Sequence, residues 1–244
     1  MKIQNLPQLR SGARSQGFTL IELLVVISII AIIAGFAMPA LTSAQRRGRI
    51  SDSVSKAHNI ALTLKMFASD HDGAFPYYSN PDDTNPTKGT TSNDVLQSLM
   101  PRYSSNKEIF ANKASAWCKN QPSTNLTTAN QHKLLEKDCD WSFVIGLSET
   151  DNPQYPLLAT AFAEGGNATY KASTSQKGGV WGAMDAVVVY VDGSSKQVSN
   201  LYNPGKDGAF IRRSDKPEAN AFTKDSSSEA PWLDGQNVEV VNPK

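Results

Sequence analysis

The sequence predicts an α+β fold: a long N-terminal helix, apolar in its first half and amphipathic in its second, packed on a small antiparallel β-sheet head. Three observations carry that expectation. The stretch from Phe18 to Leu41 is almost wholly apolar, residues Ile50 to Ala68 repeat apolar side chains at helical spacing, and short β-rich runs close on an Asp-Gly turn. The 244-residue chain is 39% hydrophobic, enough for a substantial core. Its 24 Lys and Arg against 23 Asp and Glu leave a formal charge of +1, so no cationic field invites nucleic acid and none is expected as a partner.

The first element reads FTLIELLVVISIIAIIAGFAMPAL, with only Thr19, Glu22 and Ser28 plainly polar. As a helix it is about 36 Å long, enough to cross a bilayer. A removable secretory signal also begins with basic residues and an apolar run, but this run is too long and no Ala-x-Ala site closes it. Lys2, Arg10 and Arg14 before the run are matched by Arg46, Arg47 and Arg49 after it, so the distribution of positive charge does not orient the helix. Glu22 is the anomaly. A carboxylate one turn inside an apolar helix is costly unless it stays at headgroup depth or finds a positive group on another molecule.

The residues Gly17-Phe18-Thr19-Leu20-Ile21-Glu22-Leu23 behind a short basic leader resemble the processing signal of type IV pilins and of the pseudopilins of type II secretion. The resemblance implies that a prepilin peptidase cuts after Gly17 on the cytoplasmic side and that the new amino terminus, Phe18, is methylated. It also implies a single-pass inner-membrane protein with its leader inside and its head in the periplasm. Glu22 then becomes the fifth mature residue, which in the family meets the amino terminus of a neighbouring subunit. Physically, an ammonium and a carboxylate that neutralise each other in a low-dielectric bundle specify register more than they add stability. Pro39 matches the family's proline at the twenty-second mature position. Proline there removes the hydrogen bond to the carbonyl of Gly35, and glycine weakens the same turn, so a kink or local melting is expected.

Ile50, Val54, Ala57, Ala61, Leu64 and Ala68, widened by Ile60 and Phe67, form the stripe of an amphipathic helix that continues to about Ser69. Gly73 supplies a stop, and Pro76 forbids renewal nearby. Asp70-x-Asp72-Gly73 is only a fragment of a calcium loop. Ser79 to Asn93 reads as a surface loop, and Val95 to Met100 as a short helix ended by Pro101. Strands are expected at Trp141–Leu147, Leu157–Phe162 and Ala186–Val191, the last turning through Asp192-Gly193-Ser194 into Lys196–Val198 as a hairpin. The segment WGAMDAVVVYVDGSSKQV also resembles the closing strand pair of many pilin-like proteins, with Gly182 in the place of their histidine. Asp207 to Gln236 reads as a long polar surface excursion, with Val238–Val241 returning as an edge strand. Some secretion pseudopilins hold calcium in a comparable late loop, but the spacing of Asp225, Ser228 and Glu229 selects no metal site. The domains implied are a leader at 1–17, a membrane helix at 18–41, a stalk helix at 42–72 and a head at 73–244.

Cys118 and Cys139 in an exported domain favour a disulfide, closing a loop of about 22 residues and contributing roughly 3 kcal/mol. His58, His71 and His132 form no cluster, and no nucleophile elbow, phosphate loop or metalloprotease helix occurs, so neither enzyme activity nor a cofactor is expected. The implied function is that of a filament subunit, with prepilin peptidase, other pilin or pseudopilin subunits and an inner-membrane assembly platform as partners. A type II secretion pseudopilin is the leading reading, ending in a periplasmic filament. A type IV pilus subunit, ending on the cell surface, stands beside it. A third reading is a membrane-anchored polysaccharide-binding module, with Trp117, Trp141, Trp181 and Trp232 as candidate sugar platforms.

Overall fold

Why the second half of the long helix is buried follows from its sequence period. In a computed structural model, which describes residues 18–77, 88–118, 133–227, 231–235 and 237–244, α1 spans Leu20–Asp70. Its buried residues begin at Ile50 and recur through Ala57, Ile60, Ala61, Leu64, Phe67 and Ala68, the stripe expected at a period of 3.6. Val54 is only partly buried. Ser53, Lys56 and Thr63 are buried as well. Each disposes of its polar atom on a backbone carbonyl: Ser53 Oγ donates to Arg49 O, Thr63 Oγ1 to Ile60 O and Lys56 Nζ to Ala111 O.

The helix stops in a closure that involves Asp72 as much as the glycine. Gly73 N–H donates to Ala68 O at 2.8 Å, the six-to-one bond of a Schellman motif, and Asp72 occupies the left-handed position with φ of 52°. Asp70 accepts from Arg102 and from the Tyr103 hydroxyl, at 2.9 and 3.0 Å, so it is committed to a protein partner rather than held open for a cation.

The sheet has five antiparallel strands, β1 (Trp141–Ile145), β2 (Pro156–Thr160), β3 (Ala186–Tyr190), β4 (Ser195–Val198) and β5 (Glu239–Val241), in the order β4-β3-β2-β1-β5. All five residues of β1 and of β2 are buried. Successive strand residues point to opposite faces, so these strands are covered on both. The hairpin expected at Asp192-Gly193 joins β3 to β4, with Val189 opposite Ser195 and Gly193 at φ of 87°. Asp192 Oδ1 caps the turn by accepting Ser194 N–H at 2.7 Å. The expected edge strand is β5, pairing with β1 through Val144 and Val240.

Two expectations are corrected. Ser92 and Asn93, placed in a surface loop by composition, open the short helix α2 (Ser92–Leu96), which starts earlier than the expected Val95 and passes into a 3₁₀ turn at Gln97–Leu99. Thr91 caps α2 by accepting Asp94 N–H, and Asn93 is buried with its amide donating to Leu135 O. The excursion from Asp207 to Gln236 is not merely surface: Ala209, Ile211, Ala221, Phe222, Trp232 and Leu233 belong to the core. They stand singly or in adjacent pairs among polar residues, and neither helix nor strand periodicity reveals them. Residues 79–87 of the loop expected at 79–93 lie outside the described residues.

The chain divides into two compact units, residues 1–46 and 47–244. In the second, the buried face of α1, α2 and strands β1–β3 and β5 share one apolar core.

Candidate functional site

In the first unit, the helix that opens at Leu20 is long and apolar enough to anchor the chain in a membrane. Its large side chains are uncovered, from Leu20 and Ile21 to Phe36 and Leu41. Ser28 Oγ donates to Leu24 O and Thr42 Oγ1 to Pro39 O, so these hydroxyls are satisfied within the helix and place no unpaired donor on an apolar face. The helix runs through Gly35 and Pro39 without interruption, and the local melting expected there is not seen.

Glu22 has a partner at the start of its own helix. The Thr19 backbone N–H and hydroxyl both donate to Glu22 Oε2, at 2.9 and 2.7 Å, while Glu22 N–H donates back to Thr19 Oγ1 at 3.3 Å. With the helix starting at Leu20, Thr19 is the N-cap and Glu22 the third helical residue, which makes a capping box. The sequence carries the signal, Thr-x-x-Glu before an apolar run, but an argument from the carboxylate's charge alone does not find it. The box leaves the second carboxylate oxygen open to a donor from outside the chain. Phe18 stands one residue before the cap and is 74% exposed. Gly17 lies outside the described residues.

In the second unit, the late loop carries a buried cation of its own. The Arg213 side chain is 1% exposed and spans Asp215, through Nε at 2.9 Å and Nη2 at 2.5 Å, and Asp225, through Nη1 at 2.8 Å. Its guanidinium lies 4.6 Å from the ring centre of Trp232. Arg213 holds the Asp215 carboxyl below the ordinary carboxylate range. Asp225 is lowered first by hydrogen bonds from Ser227 and then by Arg213. The carboxylate weighed as a calcium donor is thus engaged by a guanidinium. Ser228 and Glu229 lie outside the described residues, and among the described residues no three His, Cys, Asp or Glu side chains gather to hold a metal.

Cys118 and Cys139 are free thiols in this structure, not the expected bridge. Both are buried, and Cys118 Sγ donates to Lys137 O at 2.9 Å. Burial pushes the Cys118 thiol up to about 12 and Cys139 further still. Of the four tryptophans, Trp141, Trp181 and Trp232 are core residues; the Trp141 indole donates to Ile109 O and that of Trp232 to Ala221 O. Trp117 is half-buried, with Lys177 Nζ 5.0 Å from its ring centre. A groove of about 660 Å³ lies beside β4, lined by Tyr190, Lys196, Asn200, Arg212 and Ser214 among others.

The prokaryotic N-terminal methylation motif family matches residues 12–38. The type IV major pilin protein PilE of Neisseria gonorrhoeae is 30% identical over 119 residues, which cover 43% of this chain and 68% of that protein. The chain belongs to the type IV pilin family. Other pilins align over shorter stretches: the type IV major fimbrial protein FimA of Dichelobacter nodosus is 40% identical over 57 residues, 23% of this chain and 36% of FimA. The type IV major pilin protein PilA of Myxococcus xanthus is 36% identical over 63 residues, 26% of this chain and 29% of PilA. No solved structure matches the chain. The long N-terminal helix with a five-stranded antiparallel sheet is the α+β pilin fold expected from the sequence.

Proposed function

We propose that this pilin is cut after Gly17 by a prepilin peptidase, methylated on Phe18 and stored in the inner membrane. Residues 1–17 are then the leader, 18–41 the membrane helix, 42–72 the stalk and 73–244 a head outside the cytoplasm. Assembly exchanges lipid for the helices of neighbouring subunits on an inner-membrane platform, and the second oxygen of Glu22 takes the amino terminus of an adjacent Phe18. The observation that carries this reading is the capped Phe18–Glu22 motif at the head of an uncovered apolar helix. Thr19 holds Glu22 toward the helix start, which is where an incoming ammonium would need it.

Two machines remain to be separated. The pilins that match are type IV major pilins, which supports a subunit of a surface pilus. A type II secretion pseudopilus is the second reading, resting on the processing motif that the two kinds of subunit share; the β3–β4 hairpin with its Asp192-Gly193 turn resembles pilin-like proteins at large and favours neither machine. In the late loop Asp225 accepts from Arg213 and from Ser227 N–H, which does not favour its use as a calcium donor. The polysaccharide module loses three of its four candidate platforms to the core.

A strain lacking the chain tests the choice. Loss of immunogold-labelled surface filaments with normal protein export supports the pilus. Loss of export with surface filaments unchanged moves the chain to the secretion machine. Retention of both would count against a filament role.

A further inference from the structure

The two edges of the sheet are finished differently. At β5, Lys88 pairs with Glu239 and Ser92 N–H donates to Asn242 O just past the strand, so the 88–92 segment lies along that edge. At β4 no such cover is found among the described residues. Tyr190 N–H donates to Ser194 O, and in the register that follows, Lys196 opposite Val188 and Val198 opposite Ala186 are the residues that exchange bonds with β3. The N–H and C=O of Ser195 and Gln197 therefore point away from the sheet, and none of the four has a partner among the described residues. Such a row of unpaired backbone groups is a template for an added strand.

This open edge forms one wall of the groove of about 660 Å³ beside β4, and the 211–214 segment forms another. Ile211 O accepts Ala221 N–H and Arg213 N–H donates to Ala219 O, so these two residues turn toward 219–221. The backbone N–H and C=O of Arg212, between them, turn the other way and have no partner among the described residues. The same segment is tied to the chain leaving β4, through Tyr202 N–H on Phe210 O and Arg212 Nε on Asn200 O.

Charge narrows what the groove can hold. Lys196 Nζ lies 4.6 Å from the ring centre of Tyr190 and the Arg212 guanidinium 5.5 Å from that of Tyr202, and neither cation has an ion-pair partner among the described residues. Arg213 and Lys216 are matched by Asp215 and Asp225. That leaves Lys196 and Arg212 against Asp192, whose Oδ1 already accepts Ser194 N–H in the turn.

We propose that the β4 edge and the 211–214 segment form a docking groove for an extended, carboxylate-bearing peptide strand of a partner protein. The strand adds to the sheet beside β4 and sets its acids against Lys196 and Arg212. Outward backbone groups that repeat about every 7 Å along β4 match another extended backbone, which has the same repeat, and the two uncompensated cations favour acids on it. This binding role is separate from polymerisation and holds whichever filament the chain joins.

The test uses the full chain in detergent micelles and a fluorescent peptide that alternates glutamate with valine. Binding should be saturable and should slow hydrogen exchange at the Ser195 and Gln197 amides. The same peptide with its backbone nitrogens methylated, and one with lysine in place of glutamate, should each bind about tenfold more weakly or worse. Lys196→Glu should weaken the acidic peptide by about tenfold or more. Gln197→Pro should abolish binding and keep the fold, because the N–H it removes is not used in the ladder. No saturable binding, equal binding of the methylated or the lysine peptide, or unslowed exchange at Ser195 and Gln197 would overturn the proposal without any variant having to fold. Exchange at those amides that slows with protein concentration in the absence of peptide would give the edge to a second copy of the chain and overturn it as well.

Discussion

Arg213 shows what a single residue does for the late part of the chain. Its guanidinium is buried, but Asp215 and Asp225 keep 41% and 26% of their side-chain surface, so both carboxylates reach water while the cation does not. Removing the cation leaves two carboxylates that solvent can rescue, together with the lost packing on Trp232. Arg213→Ala is therefore expected to destabilise the second unit by about 2–3 kcal/mol in urea unfolding. Arg213→Lys should recover little of that, because a point charge cannot span both acids in the same planar arrangement. Asp215→Asn should cost less than 1 kcal/mol, being the more exposed partner; a larger loss than for Arg213→Ala would mean that the acid, not the guanidinium, organises the loop. The cysteines carry a second prediction at this scale. With both thiols free and their ionisation suppressed by burial, the native chain should resist alkylation at pH 8, and unfolding without reductant should expose two reactive thiols. Recovery of none would show a disulfide instead.

At the scale of elements, the stalk half of α1 was legible because its burial is periodic. Leu64 is fully buried within that stripe, and Leu64→Ala is expected to cost about 3 kcal/mol, read as a lowered unfolding midpoint. The β3–β4 hairpin was legible for a different reason: Asp192-Gly193 accepts a tight turn between β-branched runs. What escaped the sequence are features made by partners distant along the chain. Nothing near Ser92 and Asn93 announces that Leu135 and Lys244 satisfy Asn93 inside the core, and Lys56 reads as a surface lysine until Ala111 O is placed beside it. Close backbone approach is equally silent. Gly178 has φ of 78°, and a methyl group there would lie 2.3 Å from Ala163 N. Gly178→Ala should therefore destabilise by more than about 2 kcal/mol, and a variant within 0.5 kcal/mol of the parent would deny the approach. The capping box at Thr19 and Glu22 was readable in principle, since both residues and their spacing were in view.

Over the whole molecule, the two units differ in kind. Residues 47–244 bury their large apolar side chains in one core, whereas the helix from Leu20 to Leu41 leaves its own exposed. An exposed apolar surface of that length is stable only in lipid or against other helices. Type IV pilins supply the precedent for such a chain, and the motif at Gly17–Glu22 carries the resemblance to them in the sequence; in the head only the closing strand pair around Asp192-Gly193 adds to it, and the alignment with PilE covers 43% of the chain. On the assembly account, Glu22→Ala should leave cleavage intact and reduce incorporation into filaments at least tenfold, because one charge of the register pair is gone. Normal incorporation would remove the register role. The central claim, processing as a pilin, is tested most directly by the intact mass and amino-terminal sequence of the protein purified from its own membranes. The account predicts a chain that begins with N-methylated Phe18; an intact Met1, or a cut beyond Ala40, would contradict it.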